Sequence, residues 1–217
     1  MIIENPYNDL RDGRWLVGNL HTHTIASDGE RSHQEVIDDY AGRGYDFLMI
    51  SDHDILTDET KYADLVSGEM ILISGNEITA NGSHMLHVGA EALVEPNAHR
   101  QKVIDDVSNA GGFAIFNHPN WTSNFSHCPQ DLLESCKGYI GLEVYNGVIS
   151  RLDGSPYATD RWDMLLSVGR RLWGFANDDS HATQGDVGLG WNVVYTKDQT
   201  SQGIIEALFK GNFYAST

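Results

Sequence analysis

Two histidines one residue apart close an apolar run in this chain, Trp15-Leu16-Val17-Gly18-Asn19-Leu20-His21-Thr22-His23, and five later apolar runs close in the same way. Ser51-Asp52-His53-Asp54 ends the second, and Glu77 ends the third, with His87-Val88-Gly89 shortly after. Asn117-His118-Pro119 ends the fourth, Glu143 and Asn146 the fifth, and Asp178-Asp179-Ser180-His181 the sixth. In an extended chain the side-chain period is two, so His21 and His23 point to one side. Any fold for this sequence must say where six such ends go.

The apolar runs predict strands over 16–21, 46–51, 70–77, 113–117, 139–145, 172–177 and 192–196. Amphipathic segments between them predict helices over 32–43, 58–67, 98–109, 130–137, 157–168 and 201–210. Ser32 and Glu35 have the spacing of a capping box. Gly44, Gly68, Gly111, Gly138, Gly169 and Gly211 each fall just past a predicted helix, where a left-handed residue is expected. Alternation of this kind predicts parallel strands joined by right-handed crossovers. About seven units predict an α/β fold, a distorted (β/α)7 TIM-like barrel in a single domain over 1–217, with 1–14 as an N-terminal arm. In such a barrel every strand C-terminus opens on one face, which is where the chemistry sits. Residues distant in sequence converge there.

Composition narrows the partners. The net charge of −17 excludes a phosphate-binding surface built from clustered Lys and Arg, so neither nucleic acid nor an anionic membrane is expected. Cys128 and Cys136 are the two cysteines and read as buried or unremarkable thiols rather than a disulfide framework. No run approaches the ~18 apolar residues of a membrane span. The start, Met1-Ile2-Ile3-Glu4-Asn5-Pro6, lacks the basic and apolar regions of a signal peptide, so a cytoplasmic protein is expected.

His21-Thr22-His23 with Ser27-Asp28-Gly29, Ser51-Asp52-His53, Gly75-Asn76-Glu77, His87, Asn117-His118-Pro119 and Asp179-Ser180-His181 resemble the successive motifs of the PHP (polymerase and histidinol phosphatase) family. Gly211-Asn212-Phe213-Tyr214-Ala215-Ser216-Thr217 resembles a segment of the branch that includes carbamate-pesticide hydrolases, in which a further C-terminal part often follows. The resemblance runs from Leu16 to Thr217 and implies a trinuclear metal site. By it, His21, His23, Glu77 and Asp179 hold one ion. Glu77 bridges to a second, held also by His87 and His118, and Asp28, His53 and His181 hold the third. Nitrogen and oxygen donors without thiolate suit up to three Zn²⁺, Mn²⁺ or Fe²⁺ ions. His84 competes with His87, whose His-Val-Gly context fits better. Amidohydrolases also begin with His-x-His but typically use a bridging lysine and a lone late aspartate. Here the bridge is Glu77 and the late motif is Asp-x-His.

Other residues keep two readings each. Asp178 is an outer acceptor or a surface carboxylate, and Asp52 orients a ligating imidazole or is an ordinary strand-end carboxylate. His33 and His99 are expected on exposed early helix positions, and His127 faces substrate or only belongs to a variable loop. Arg151 is a candidate phosphate clamp or a solvent-facing loop arginine. Trp121 and Trp191 are candidate stacking surfaces or packing residues. The activity the resemblance implies is hydrolysis of a small phosphomonoester, nucleotide or sugar phosphate, by a metal-bridged hydroxide, with Glu77, Asp28, His53 and His181 as the catalytic set. An amide or carbamate hydrolase on the same site, and an inactive metal-binding module, are the alternatives.

Overall fold

In the computed structural model, residues 12–66, 68–122 and 127–217 are described. Most of the expected N-terminal arm, residues 1–11, and Ser67 at the end of the second predicted helix lie outside them. Among the described residues ten strands form: β1 (Arg14–Asn19), β2 (Phe47–Met49), β3 (Ile71–Ile73), β4 (Gly75–Ile78), β5 (Met85–Val88), β6 (Phe113–Phe116), β7 (Gly141–Asn146), β8 (Trp173–Asn177), β9 (Trp191–Thr196) and β10 (Phe213–Ser216). Between them lie α1 (His33–Gly42), α2 (Glu59–Tyr62), α3 (Arg100–Asn109), α4 (Gln130–Ser135), α5 (Thr159–Ser167) and α6 (Ser201–Lys210).

The strands make two mixed five-stranded sheets, β10-β9-β1-β2-β3 and β4-β5-β6-β7-β8, in place of the expected barrel of parallel strands. Two features account for the difference. The six residues from 79 to 84 are too few for a parallel crossover, which needs a dozen or more, so β5 turns back antiparallel to β4 and then to β6. The predicted strand over 70–77 is interrupted at Ser74, where the chain passes from one sheet into the other. At the far end β9 runs antiparallel to both β1 and β10. Isolated bridges His53↔Glu77 and Thr22↔Ser180 join the two sheets. Both joins fall among the candidate site residues.

Alternation divides the strand residues between cores. Leu16, Phe47, Met49, Leu86, Val88, Ile115, Phe175 and Val194 pack into one inner core shared by both sheets. Their neighbours Met85, Ala114, Phe116 and Leu142 face outward against Val103, Ile104 and Val107 of α3. Leu48 and Ile50 cover Val36, Ile37 and Tyr40 of α1. The α1 start has the expected capping box, Ser32 accepting from the Glu35 amide while Glu35 reaches back to the Ser32 amide. All six glycines expected after helices adopt positive φ. At Gly211, φ +78 lets the amide reach the Ala207 and Leu208 carbonyls and turn the chain from α6 into β10. Cys128 and Cys136 are free and buried. No helix among the described residues is long and apolar enough to cross a membrane.

Candidate metal centre

β1 ends at Asn19, and His21 and His23 follow with their rings 5.1 Å apart, flanking the Thr22↔Ser180 bridge. Both lie against the buried carboxylates that arrive from other strand ends. His21 Nε2 is 3.1 Å from Asp179 Oδ1 and 3.4 Å from Glu77 Oε1, and His23 Nε2 is 3.1 Å from the same Asp179 oxygen. His118 Nε2 lies 3.3 Å from Glu77 Oε1. At the rim Asp28 Oδ1 is 3.3 Å from both His53 Nε2 and His181 Nε2, and 3.9 Å from His23 Nδ1. Glu77 also meets His53 Nδ1 at 2.7 Å, so it touches both halves of the cluster.

Hydrogen bonds and backbone conformation fix these side chains. Glu143 Oε1 accepts from His21 Nδ1 at 2.8 Å, which assigns a proton to that nitrogen and aims Nε2 inward. Likewise His181 Nδ1 meets the Asp179 carbonyl at 2.8 Å, and His53 Nδ1 meets Thr79 Oγ1 at 2.6 Å. Asn117 Nδ2 donates to Glu77 Oε1 at 2.6 Å. His118 and Asp179 carry positive φ, +26 and +56, conformations that cost free energy and persist because their surroundings enforce them. The His118 amide donates to Glu143 Oε2, and the Asp179 amide to the His21 carbonyl.

The charge balance follows from crowding carboxylates where water is scarce. Burial opposes charge on His53, but hydrogen bonds to Asp28 and Glu77 outweigh it and lift the imidazole to about 10. On His21, burial is likewise outweighed by the Asp179, Glu143 and Glu77 charges. Hydrogen bonds from His181 and His53 hold the Asp28 carboxyl well below the usual range. Burial, helped by the charge on His21, pushes His23 down against the opposing pull of Asp179 and Glu77.

These groups suit divalent cations. His21 Nε2 and both His23 nitrogens are buried without a hydrogen-bond partner, although carboxylate oxygens lie beside them. Donor atoms of His21, His23 and Asp179, of His21, Glu77 and His118, of His53, Glu77 and His84, and of His23, Asp28, His53 and His181 each fall within 4.8 Å of one another. Each set is nitrogen and oxygen without thiolate, the donor chemistry of Zn²⁺, Mn²⁺ or Fe²⁺.

Eight of the nine expected ligands therefore meet: His21, His23, Asp28, His53, Glu77, His118, Asp179 and His181. His87 does not. His84 immediately precedes β5, and the period of two puts it on the side of Leu86 and Val88, facing the inner core, and turns His87 outward. There His87 Nε2 donates to the Gly111 carbonyl at 2.7 Å, while His84 Nδ1 lies 3.1 Å from Glu77 Oε1. The His-Val-Gly context is local and carries no information about which face is inward.

Neighbouring residues divide similarly. Asp52 does not orient an imidazole of the cluster: its carboxylate takes the Thr24 amide and hydroxyl and the Ser27 hydroxyl, and so shapes the turn that presents Asp28. Asp178 is a buried acceptor for Tyr40 and for the amides of Gly188, Leu189 and Gly190. His33 is partly covered by stacking on Tyr62 at 4.2 Å, and His99 is exposed. His127 accepts the His84 amide on Nε2 and packs against the His84 and His118 rings. Burial, with His118 and His84 nearby, holds it neutral, down to about 2. Arg151 and Trp121 line a pocket of about 290 Å³ over the cluster. Arg151 forms a paired contact with Asp186, Nη2 to Oδ2 at 2.7 Å and Nε to Oδ1 at 3.1 Å. Trp191 instead pairs with Ser216 at the β9–β10 edge.

No protein-family model matches the sequence, and no curated protein matches it. Solved structures do. A two-domain protein containing a predicted PHP-like metal-dependent phosphoesterase from Bacteroides vulgatus ATCC 8482 superposes with a TM-score of 0.72 at 21% identity, over 96% of this chain. The chain spans 66% of the length of that protein. A putative metal-dependent phosphoesterase from Bifidobacterium adolescentis ATCC 15703 follows, with a TM-score of 0.61 at 16% identity, over 89% of this chain and 96% of its own. An amidohydrolase from Chromobacterium violaceum, with bound sulfate and no metal, gives 0.59 at 15% identity, over 91% of this chain and 97% of its own. The chain thus has the fold of proteins named metal-dependent phosphoesterases, one of them named PHP-like after the family its motifs resemble.

Proposed function

We propose that this chain is a PHP-type metal-dependent phosphoesterase that hydrolyses a small phosphomonoester at a site for up to three divalent ions. The observation that carries the reading is the set of buried imidazole nitrogens, His21 Nε2 foremost, that have no hydrogen-bond partner yet face Glu77 and Asp179. His21, His23 and Asp179 would hold one ion, Glu77 with His84 and His118, whose ring nitrogens lie 3.1 and 3.3 Å from its Oε1, a second, and Asp28 with His53 and His181 a third. Bound there, divalent ions acidify water towards neutrality and offset charge on the attacked group.

The chain's own residues prepare the rest. Glu143 and the Asp179 carbonyl, which only accept, hold the His21 and His181 rings in one tautomer and one direction, and Thr79 holds the direction of the His53 ring. Asp52 fixes the turn that carries Asp28. Arg151 stands at the pocket mouth, and its contact with Asp186 leaves Nη1 to donate to a phosphoryl oxygen. Hydrolysis forms a P–O bond to water and breaks the one to the leaving alcohol, whose oxygen takes up a proton.

An amide or carbamate hydrolase on the same groups is the second reading, favoured by the amidohydrolase among the structural neighbours. A substrate panel of phosphomonoesters, amides and carbamates, run with metal-supplemented protein and Glu77→Gln as control, separates the two. The proposal expects phosphate release that Glu77→Gln abolishes. Turnover confined to uncharged amides or carbamates refutes it.

A further inference from the structure

The pocket over the cluster has two unlike walls. One is the His and carboxylate cluster itself. The other is the 3-10 turn Val148–Arg151 with Leu152, flanked by Trp121. Val148, Ile149 and Leu152 carry no side-chain donor or acceptor, and the Trp121 indole N–H is buried. The Gly147 and Val148 amides donate to the Asn177 and Asp178 carbonyls, so the wall is tied to the end of β8 and does not depend on substrate to form. Gly147 permits that approach, since a Cβ there would meet Leu189 Cβ at 2.8 Å and the Asp178 carbonyl at 2.9 Å.

Arg151 is the one Lys or Arg among the described lining residues, and the Asp186 carboxylate already balances its charge. Asp186 is held in place by the His181 and Ala182 amides, so the pair is itself anchored. The wall facing the cluster is therefore apolar and neutral overall. The whole pocket, about 290 Å³, sits at the small end of ligand pockets.

Resting on the phosphoesterase reading above, we infer that the leaving group this pocket takes is a small apolar alcohol rather than a polyhydroxylated sugar. With the phosphate at the ions that the imidazoles and carboxylates would hold, the carbon skeleton meets Val148, Ile149 and Leu152. Sugar hydroxyls placed against those three side chains would lose water and gain no partner from them, since Arg151 Nη1, the free donor beside them, is given to the phosphoryl group, and that loss is unfavourable.

The test compares two esters that share ring size and a primary alkoxide leaving group, cyclohexylmethyl phosphate and glucose 6-phosphate. The metal-loaded protein and its Leu152→Asn variant are assayed for kcat/KM, and calorimetry measures binding of the two corresponding non-hydrolysable phosphonates. Leu152 is 42% exposed, so the substitution leaves the core intact. The expected result is a preference of at least about tenfold for the cyclohexyl compounds in both measurements, shrinking several-fold in Leu152→Asn. Equal or better use of glucose 6-phosphate overturns the inference and leaves the phosphoesterase reading standing. A cyclohexyl preference untouched by Leu152→Asn overturns the assignment to this wall. Phosphonates bound with the cyclohexyl preference, but no ester hydrolysed, uphold the pocket's selectivity and overturn the hydrolytic reading.

Discussion

Glu143→Gln removes one oxygen's accepting capacity and one negative charge while keeping the side chain's volume. Glu143 is buried, and its two oxygens accept four hydrogen bonds: His21 Nδ1 and Asn177 Nδ2 on Oε1, the His118 amide and Asn146 Nδ2 on Oε2. An amide has one oxygen and one NH2, so whichever way the substituted side chain turns, two donors face an N–H. Buried bonds to a charged acceptor contribute about 1.5–3 kcal/mol each, so the loss is about 3 kcal/mol or more. For a chain of this length that is a fall in Tm of about 6–12 °C. The assay is thermal unfolding in excess chelator, which keeps metal linkage out of the comparison. A second readout is zinc or manganese affinity by calorimetry, expected to weaken about 10–100-fold because His21 loses the acceptor that fixes its tautomer. A variant with Tm within about 2 °C and affinity within about threefold of the parent, both thresholds chosen as small against those effects, would refute the role given to Glu143.

His84→Ala is expected to lower bound metal by calorimetry or elemental analysis, whereas His87→Ala keeps metal content and lowers stability through its lost bond to Gly111. The reverse pattern returns His87 to the site. Because His53 holds its proton up to about 10 without metal, metal must displace that proton at neutral pH, and affinity falls as pH falls. One such proton weakens binding about a hundredfold between pH 8 and pH 6, and a pH-independent affinity would contradict the arrangement. His127 behaves oppositely to a stabilised imidazole. Its folded value, about 2, lies below the ordinary one near 6.5, so between these limits the unfolded chain binds the extra proton and stability drops as pH falls. Urea unfolding of metal-free protein from pH 7 to pH 5 is expected to cost about 1–2 kcal/mol more than in His127→Gln, which lacks that titration. Equal losses in the two proteins would show that His127 is freely protonated in the fold.

Much of the site was legible before any fold was known, because six apolar runs each ended on His, Asp, Glu or Asn. The helix starts and stops were legible too, since a cap is a local device: Ser32 meets Glu35 within one turn, and Gly211 reaches only to Ala207 and Leu208. What the sequence could not reveal is long-range or depends on which face is inward. Ser74 looks like the middle of one strand, yet it is where the chain leaves one sheet for the other. His84 and His87 differ by three positions, an odd number, so an extended chain sends them to opposite faces, and only the packing of Leu86 and Val88 makes one face the inside. Glu143 is separated from His21 by 122 positions, and Asp52 from Ser27 by 25. No spacing rule joins such pairs. The sequence by itself determined which chemistry the strand ends carry, through residue type and a period of two. The tertiary structure alone decided which of those groups meet, because a hydrogen bond or a shared cation is set by distance in space, and that distance exists only once both sheets close on their common core.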